Sequence, residues 1–229
     1  MIAVRGFVIS IFLAMFLIPS GHAQDFSNYR DFRLGMSLAA VARQSNMQVS
    51  EAKSICLRPA LIQELEWQSR SAFNSSLKAD PVDGIIFNFY NGDLFRILVN
   101  YNRDRTEGLT DEDLIESISA KYGVPTRPAG TISFYSSSHL YIQSEKVIAR
   151  WEDSQYSVNL FRSSYLATPG MLVLSKRVEL LAQTALTESS RLDAQEAPQR
   201  EIDRQRQQDM DKHAAEQKVR PANKASFRP

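Results

Sequence analysis

Sulfur and imidazole are scarce in this chain. It holds one cysteine, Cys56, so no disulfide can form within it. Cysteine is among the most buried residue types, and a lone thiol in an oxidising compartment reads as buried and inert rather than as half of an interchain bridge. One cysteine and three histidines give no zinc set at known spacings. Imidazole-assisted nucleophiles fare no better. His22 falls in a leader, His213 in a polar tail, and His139, in "SSSHLY", has serines beside it but no Gly-x-Ser-x-Gly elbow. It reads as a surface histidine in a strand or its turn. No glycine-rich phosphate loop is present, and the acids of "DPVDG" and "NRDRTEGLTDED" lack the alternating oxygens and central glycine of a calcium loop. No catalytic residue, cofactor or metal ligand is therefore expected. A carboxylate pair for sugar cleavage leaves no mark in sequence spacing, and nothing here selects one.

An excess of either charge is also missing. The 27 basic residues include Arg5 of the leader, and without it 26 face 26 acidic ones. Such balance carries no electrostatic footprint for nucleic acid or for an anionic membrane surface. Long apolar runs are lacking too. The opening "MIAVRGFVISIFLAMFLIPSGHAQ" has a basic start at Arg5 and about a dozen apolar residues from Phe7 to Ile18, short of the roughly 20 that span a bilayer. Pro19 and Ser20 break the run, and Gly21-His22-Ala23 supplies small residues for a peptidase. Residues 1–23 are expected to be a signal peptide cleaved after Ala23, leading to a periplasm or the exterior. With no cysteine near that site, no lipid anchor is expected.

What the chain does contain is a recurring rhythm of helix, strand and hairpin. In "FRLGMSLAAVARQSN" Ser37 caps a short helix with Leu38, Val41 and Ala42 as its stripe. "ALIQELEW" reads as a strand, with Leu61, Leu65 and Trp67 sharing a parity, and "SRSAFNSSLKADPVDG" as a loop. "IIFNFYNGDLFRILVNY" is a hairpin whose Asn91-Gly92 suits a type I′ turn. The rhythm restarts with "GLTDEDLIESISAKYGVP". Thr110 and Asp113 form a capping box, Leu114, Ile115, Ile118 and Tyr122 make the stripe, and Gly123 and Pro125 end the helix. "TISFYSSSHLYIQ" follows as one strand or two broken at the serines. A second hairpin, "KVIARWEDSQYSVNLF", comes next. If Glu152 pairs with Gln155, its Val147, Ala149, Trp151, Tyr156, Val158 and Leu160 face one way. Arg150, Glu152, Gln155, Ser157 and Asn159 then make a wet side.

The first hairpin has no wet side. With Tyr90 opposite Asp93, one face carries Ile85, Phe87, Phe89, Leu94, Leu98 and Arg96, and the other Ile86, Asn88, Phe95, Ile97 and Val99. Something must cover both. In "MLVLSKRVELLAQTAL" a strand, Met171 to Leu174, leads into a helix with Val178, Leu181, Ala182, Ala185 and Leu186 at helical spacing. Packing this helix on the second face satisfies both surfaces. The rival reading leaves Ile86, Phe95, Ile97 and Val99 open as a partner-binding face.

The expected fold is α+β: an antiparallel sheet from two tandem αβββ-like units, about 31–103 and 108–163, with helices on one face, then strand and helix over 165–188. That places one domain over 24–188. Residues 189–229 form a charged, partly helical or disordered tail, with the helix expected to stop near Glu196 because Pro198 interrupts it. "RLGMSLAAVAR" opening a helix and "SAKYGVP" closing one, each before a β-meander, resemble the broad group of BamE/SmpA-type outer-membrane lipoproteins and β-lactamase-inhibitor proteins over Arg33 to Phe161. The resemblance implies a curved antiparallel sheet and action by binding other proteins. The chain lacks the lipid-bearing cysteine of the first family and the paired cysteines of the second, so no binding residue carries over. The expectation for function is a non-enzymatic periplasmic or secreted protein working by contact with another envelope protein. The rival readings are an envelope-directed hydrolase and a purely structural envelope component.

Overall fold

The computed structural model describes residues 24–69, 80–126, 130–136, 139–164, 167–226 and 228, with the backbone alone for 135, 136 and 139–143. The expected leader, most of the expected loop at 69–84, and the Ser137-Ser138 break lie outside the described residues. Strands β1 (Asn28–Tyr29) and β2 (Phe32–Arg33) form a small ribbon ahead of helix α1 (Leu38–Gln44). A four-strand meander follows: β3 (Lys53–Cys56), β4 (Ile62–Gln68), β5 (Val82–Tyr90) and β6 (Asp93–Tyr101). The short α2 (Arg103–Thr106) and α3 (Asp111–Tyr122) lead to a second meander. Its strands are β7 (Thr131–Ser136), β8 (His139–Glu152), β9 (Tyr156–Arg162) and β10 (Pro169–Ser175), after which α4 runs from Lys176 to Ser226.

The two meanders join into one curled antiparallel sheet of order β3-β4-β5-β6-β10-β9-β8-β7, so each repeating unit is a helix with four strands rather than three. The additional strand of the first unit is β3, around Cys56; that of the second is β10, the strand expected near Met171. The last strands of the two units pair at the centre, Leu172 opposite Leu98. An order that reads alike from either edge is what two similar meanders joined at their last strands produce.

Helix ends form as local chemistry requires. Ser37 accepts from the Ala40 amide, and Thr110 and Asp113 close a reciprocal capping box. Gly123, at φ +74°, ends α3. Asn91 and Gly92, at φ +50° and +90°, make the expected tight turn. The Asn91 side chain accepts from the Leu61 amide at 3.0 Å, tying the turn to β4.

Helices α1 and α3 cover one face of the sheet. Leu38, Val41, Leu114 and Tyr122 pack there on Leu65, Phe87, Ile97, Trp151, Val158 and Val173. The Trp151 indole N–H donates to the Gly123 carbonyl at 2.6 Å, locking the end of α3 to β8. The other face has two covers. The curl brings Ile132 and Phe134 of β7 over Ile86, Leu98 and Leu172. Farther along, Ala182 and Ala185 of α4 close over Ile62 and Phe95, with Cys56 and Ala60 beside them. Leu181, expected in the α4 stripe, points outward and is exposed.

Expectations about the second hairpin and about α4 are corrected. The second hairpin spans a four-residue connection with Glu152 opposite Ser157, two residues from the expected register. An even shift keeps Ala149, Trp151, Val158 and Leu160 pointing to the helices, but a bulge at Ile148 turns Val147, expected beside them, to the opposite face with Ile86 and Leu172. Its other side is wet only in part: Gln155 is exposed and Arg150 and Glu152 are half-buried, but Asn159 is 1% exposed and Ser157 5%. Finally, α4 does not stop near Glu196 but passes through Pro198 and Pro221. Proline lacks the amide that would bond the carbonyl four residues back and crowds that turn. Arg200 bridges the weak point, donating to the Asp193 carbonyl at 2.9 Å and to its carboxylate at 3.1 Å.

Gly170 sits opposite Phe161, whose ring occupies the space of a missing side chain; a Cβ there would lie 2.3 Å from the ring. Gly170→Ala is expected to cost about 1–3 kcal/mol by overpacking and to lower Tm by on the order of 5 °C, read in a thermal melt. A second expectation concerns three tyrosines under α3. Burial raises the phenol pKa of Tyr29, Tyr101 and Tyr122; Tyr29 and Tyr101 bond each other, and Tyr122 donates to the Asn28 carbonyl at 2.6 Å. Because the folded values lie above the unfolded value of about 10, the stability these phenols contribute is present below that pH and lost as pH rises toward the folded values. Melts between pH 8 and about 11 should show Tm falling at the alkaline end, with a shallower fall in Tyr101→Phe.

Candidate functional site

The face assignment in the first hairpin depends on one residue. Asn88 pairs with Arg96 but Phe89 pairs with Leu94, so Phe95 is an additional residue in β6, a β-bulge. Beyond a bulge the alternation of side chains reverses. Ile97 and Val99, expected beside Ile86 and Phe95, instead face the helices with Phe87 and are fully buried. Leu98 and Arg96 move to the second face. The four residues Ile86, Phe95, Ile97 and Val99 thus do not share a surface: Ile86 lies under β7, Phe95 under α4, and the other two in the main core. The bulge turns two successive side chains, Phe95 and Arg96, toward α4, with the guanidinium carbon 5.4 Å from the Phe95 ring centre.

Arg96 is the hub of a buried polar chain. Its Nε donates to Asn88 Oδ1 at 3.0 Å, and Asn88 Nδ2 donates to Glu64 Oε2 at 3.2 Å. Its Nη1 reaches Glu179 Oε1 at 3.1 Å, which also accepts from Gln183 at 3.0 Å. Glu64, Asn88, Arg96 and Glu179 are 1%, 1%, 4% and 9% exposed. Strands β4, β5 and β6 and the first turn of α4 each supply one member. The Arg96–Glu179 pair therefore fixes where α4 begins on the sheet. Arg58 then clamps the same helix farther along through Glu196, and lies 4.0 Å from Asp193.

Between α4 and the curled edge at β7 lies a cleft of about 520 Å³. Ile62, Phe95, Phe134 and Leu186 form apolar walls, Arg96 and Glu179 the floor, and Ser133, Thr187, Ser190 and Asp193 the mouth. Glu179 Oε2 has no hydrogen-bond partner among the described residues. Sequence reasoning missed Glu64, Arg96 and Glu179 as a group, since they are distant along the chain. The one available signal was Arg96 and Asn88 standing among apolar strand neighbours.

The rival catalytic candidates lie in separate elements. His139 opens β8 opposite Ser136. His213 lies on the exposed part of α4, 3.6 Å from Glu216. Cys56 is buried, its thiol donating to the Arg58 carbonyl at 3.0 Å. Among the described residues no cluster of three acids, histidines or cysteines could hold a metal, and no helix is long and apolar enough to cross a membrane. No protein-family model, curated protein or solved structure matches this chain.

Removing one member of a buried ion pair strands the other without its counter-charge. Arg96→Met is expected to destabilise the fold by about 3–5 kcal/mol in chemical denaturation. The double variant Arg96→Met with Glu179→Met should recover part of that loss, because it removes both charges together.

Proposed function

We propose that this chain is exported to the cell envelope and acts there as a non-enzymatic binding protein, touching another envelope protein through the projecting part of α4. One observation carries the reading: from residue 197 to 226 every residue of α4 is exposed. At 1.5 Å per residue this portion reaches roughly 45 Å beyond the body. A lone helix of that length has no core of its own and relies on side-chain pairs such as Arg204–Glu201 at 2.6 Å. Exposed Ile202, Met210 and Val219 are spaced too irregularly for a coiled-coil seam. The surface on offer is therefore polar, suited to recognition by charge and hydrogen bonds.

The leader-like opening supports export, and the resemblance of "RLGMSLAAVAR" and "SAKYGVP" to a group that binds other proteins supports contact as the mode of action. The residues expected to form an open sheet face are covered internally, whereas the outer part of α4 is exposed.

A photo-reactive residue placed at 202 or 210 in living cells is expected to give one discrete covalent adduct, with the mature chain in the envelope fraction. Retention of the full-length chain in the cytoplasm would overturn the proposal. So would the absence of adducts at both positions.

A further inference from the structure

We propose that the cleft between α4 and β7 is a binding site for a small amphipathic amine, its apolar body between Phe95 and Phe134 and its ammonium group on Glu179. Three observations converge on this. The cavity, at about 520 Å³, falls within the roughly 300–1,000 Å³ typical of small-molecule sites. Its walls are hydrocarbon and aromatic, while its polar groups gather at the floor and the mouth, the distribution expected for a ligand with one apolar and one polar end.

The floor then selects the sign of the head group. A carboxylate accepts through both oxygens. Glu179 Oε1 takes donors from Arg96 and Gln183, whereas Oε2 is buried with no partner among the described residues. Buried acceptors in folded proteins are nearly always matched, so an unmatched carboxylate oxygen beside a cavity calls for a donor. A protonated amine supplies that oxygen with a charged donor; a carboxylate ligand would meet Glu179 below and Asp193 at the mouth. Gln183 shares the Glu179 carboxylate, lines the cleft and is exposed, so its rotation opens the approach. The site is independent of any protein contact made by the outer part of α4.

The test uses the full mature chain and three probes of equal length: n-hexylamine, n-hexanol and n-hexanoate, followed by amide chemical shifts of cleft residues at neutral pH. Hexylamine is expected to bind at least about tenfold more tightly than hexanol, a difference of one charge-assisted hydrogen bond, and hexanoate not to bind. Glu179→Gln should abolish the preference for amine over alcohol. Thr187→Trp, at an exposed position on the mouth, should weaken both. The proposal is overturned if no probe perturbs the cleft, if hexanol equals hexylamine, if hexanoate binds best, or if Glu179→Gln keeps the preference. Should Glu179→Gln fail to fold, the wild-type probe series and Thr187→Trp decide the matter alone.

Discussion

The ribbon from Val82 to Tyr101 is hydrophobic on both sides, and burying both sides is the constraint around which the molecule is arranged. Phe87, Ile97 and Val99 are fully buried on one side, and Ile86, Phe95 and Leu98 are nearly so on the other. A strand pair with two water-avoiding faces needs a layer above and a layer below. Helices α1 and α3 provide the first. The second is shared between the curled edge of the sheet and the start of α4. The interior position of β5 and β6 in the eight-stranded order follows, since an edge ribbon could not be enclosed so completely.

Much of this was legible from local pattern. The α3 capping box, the Asn91-Gly92 turn and the alternation in Ala149, Trp151, Val158 and Leu160 are short-range signals, and each appears in the structure as read. What could not be read was where a strand carries an inserted residue, at Phe95 in β6 and at Ile148 in β8. Strand parity is a running count, so the bulge at Phe95 reversed the assignment of every later residue in β6 and moved Ile97 and Val99 to the opposite layer. No composition signal marks such a bulge. The helix beyond Pro198 was misread for a related reason: proline propensity was weighed without the long Arg200 side chain that reaches back over the break.

The polar groups on the second face were the other illegible part. Glu64, Asn88, Arg96 and Glu179 come from four separate elements, and their meeting depends on the bulge, on the sheet register and on where α4 starts. Asn159 and Ser157 read as solvent-facing because hydrophilic alternation usually means water. Here it means a hydrogen-bonded interior, Arg150 donating to Asn159 at 2.6 Å and Asn159 to Ser157 at 3.0 Å. A strand pattern reports polarity; whether that polarity is wetted depends on the curvature of the whole sheet.

The opening turns of α4 belong to two structures at once, forming one wall of the cleft and the root of the rod that leaves the body. Glu179, Ala182 and Leu186 line the cavity, while Arg58 grips the same helix at Glu196, one wall's length farther out. The direction in which the exposed rod leaves the body is therefore set inside the cleft wall, where Arg96 holds Glu179 and Arg58 holds Glu196.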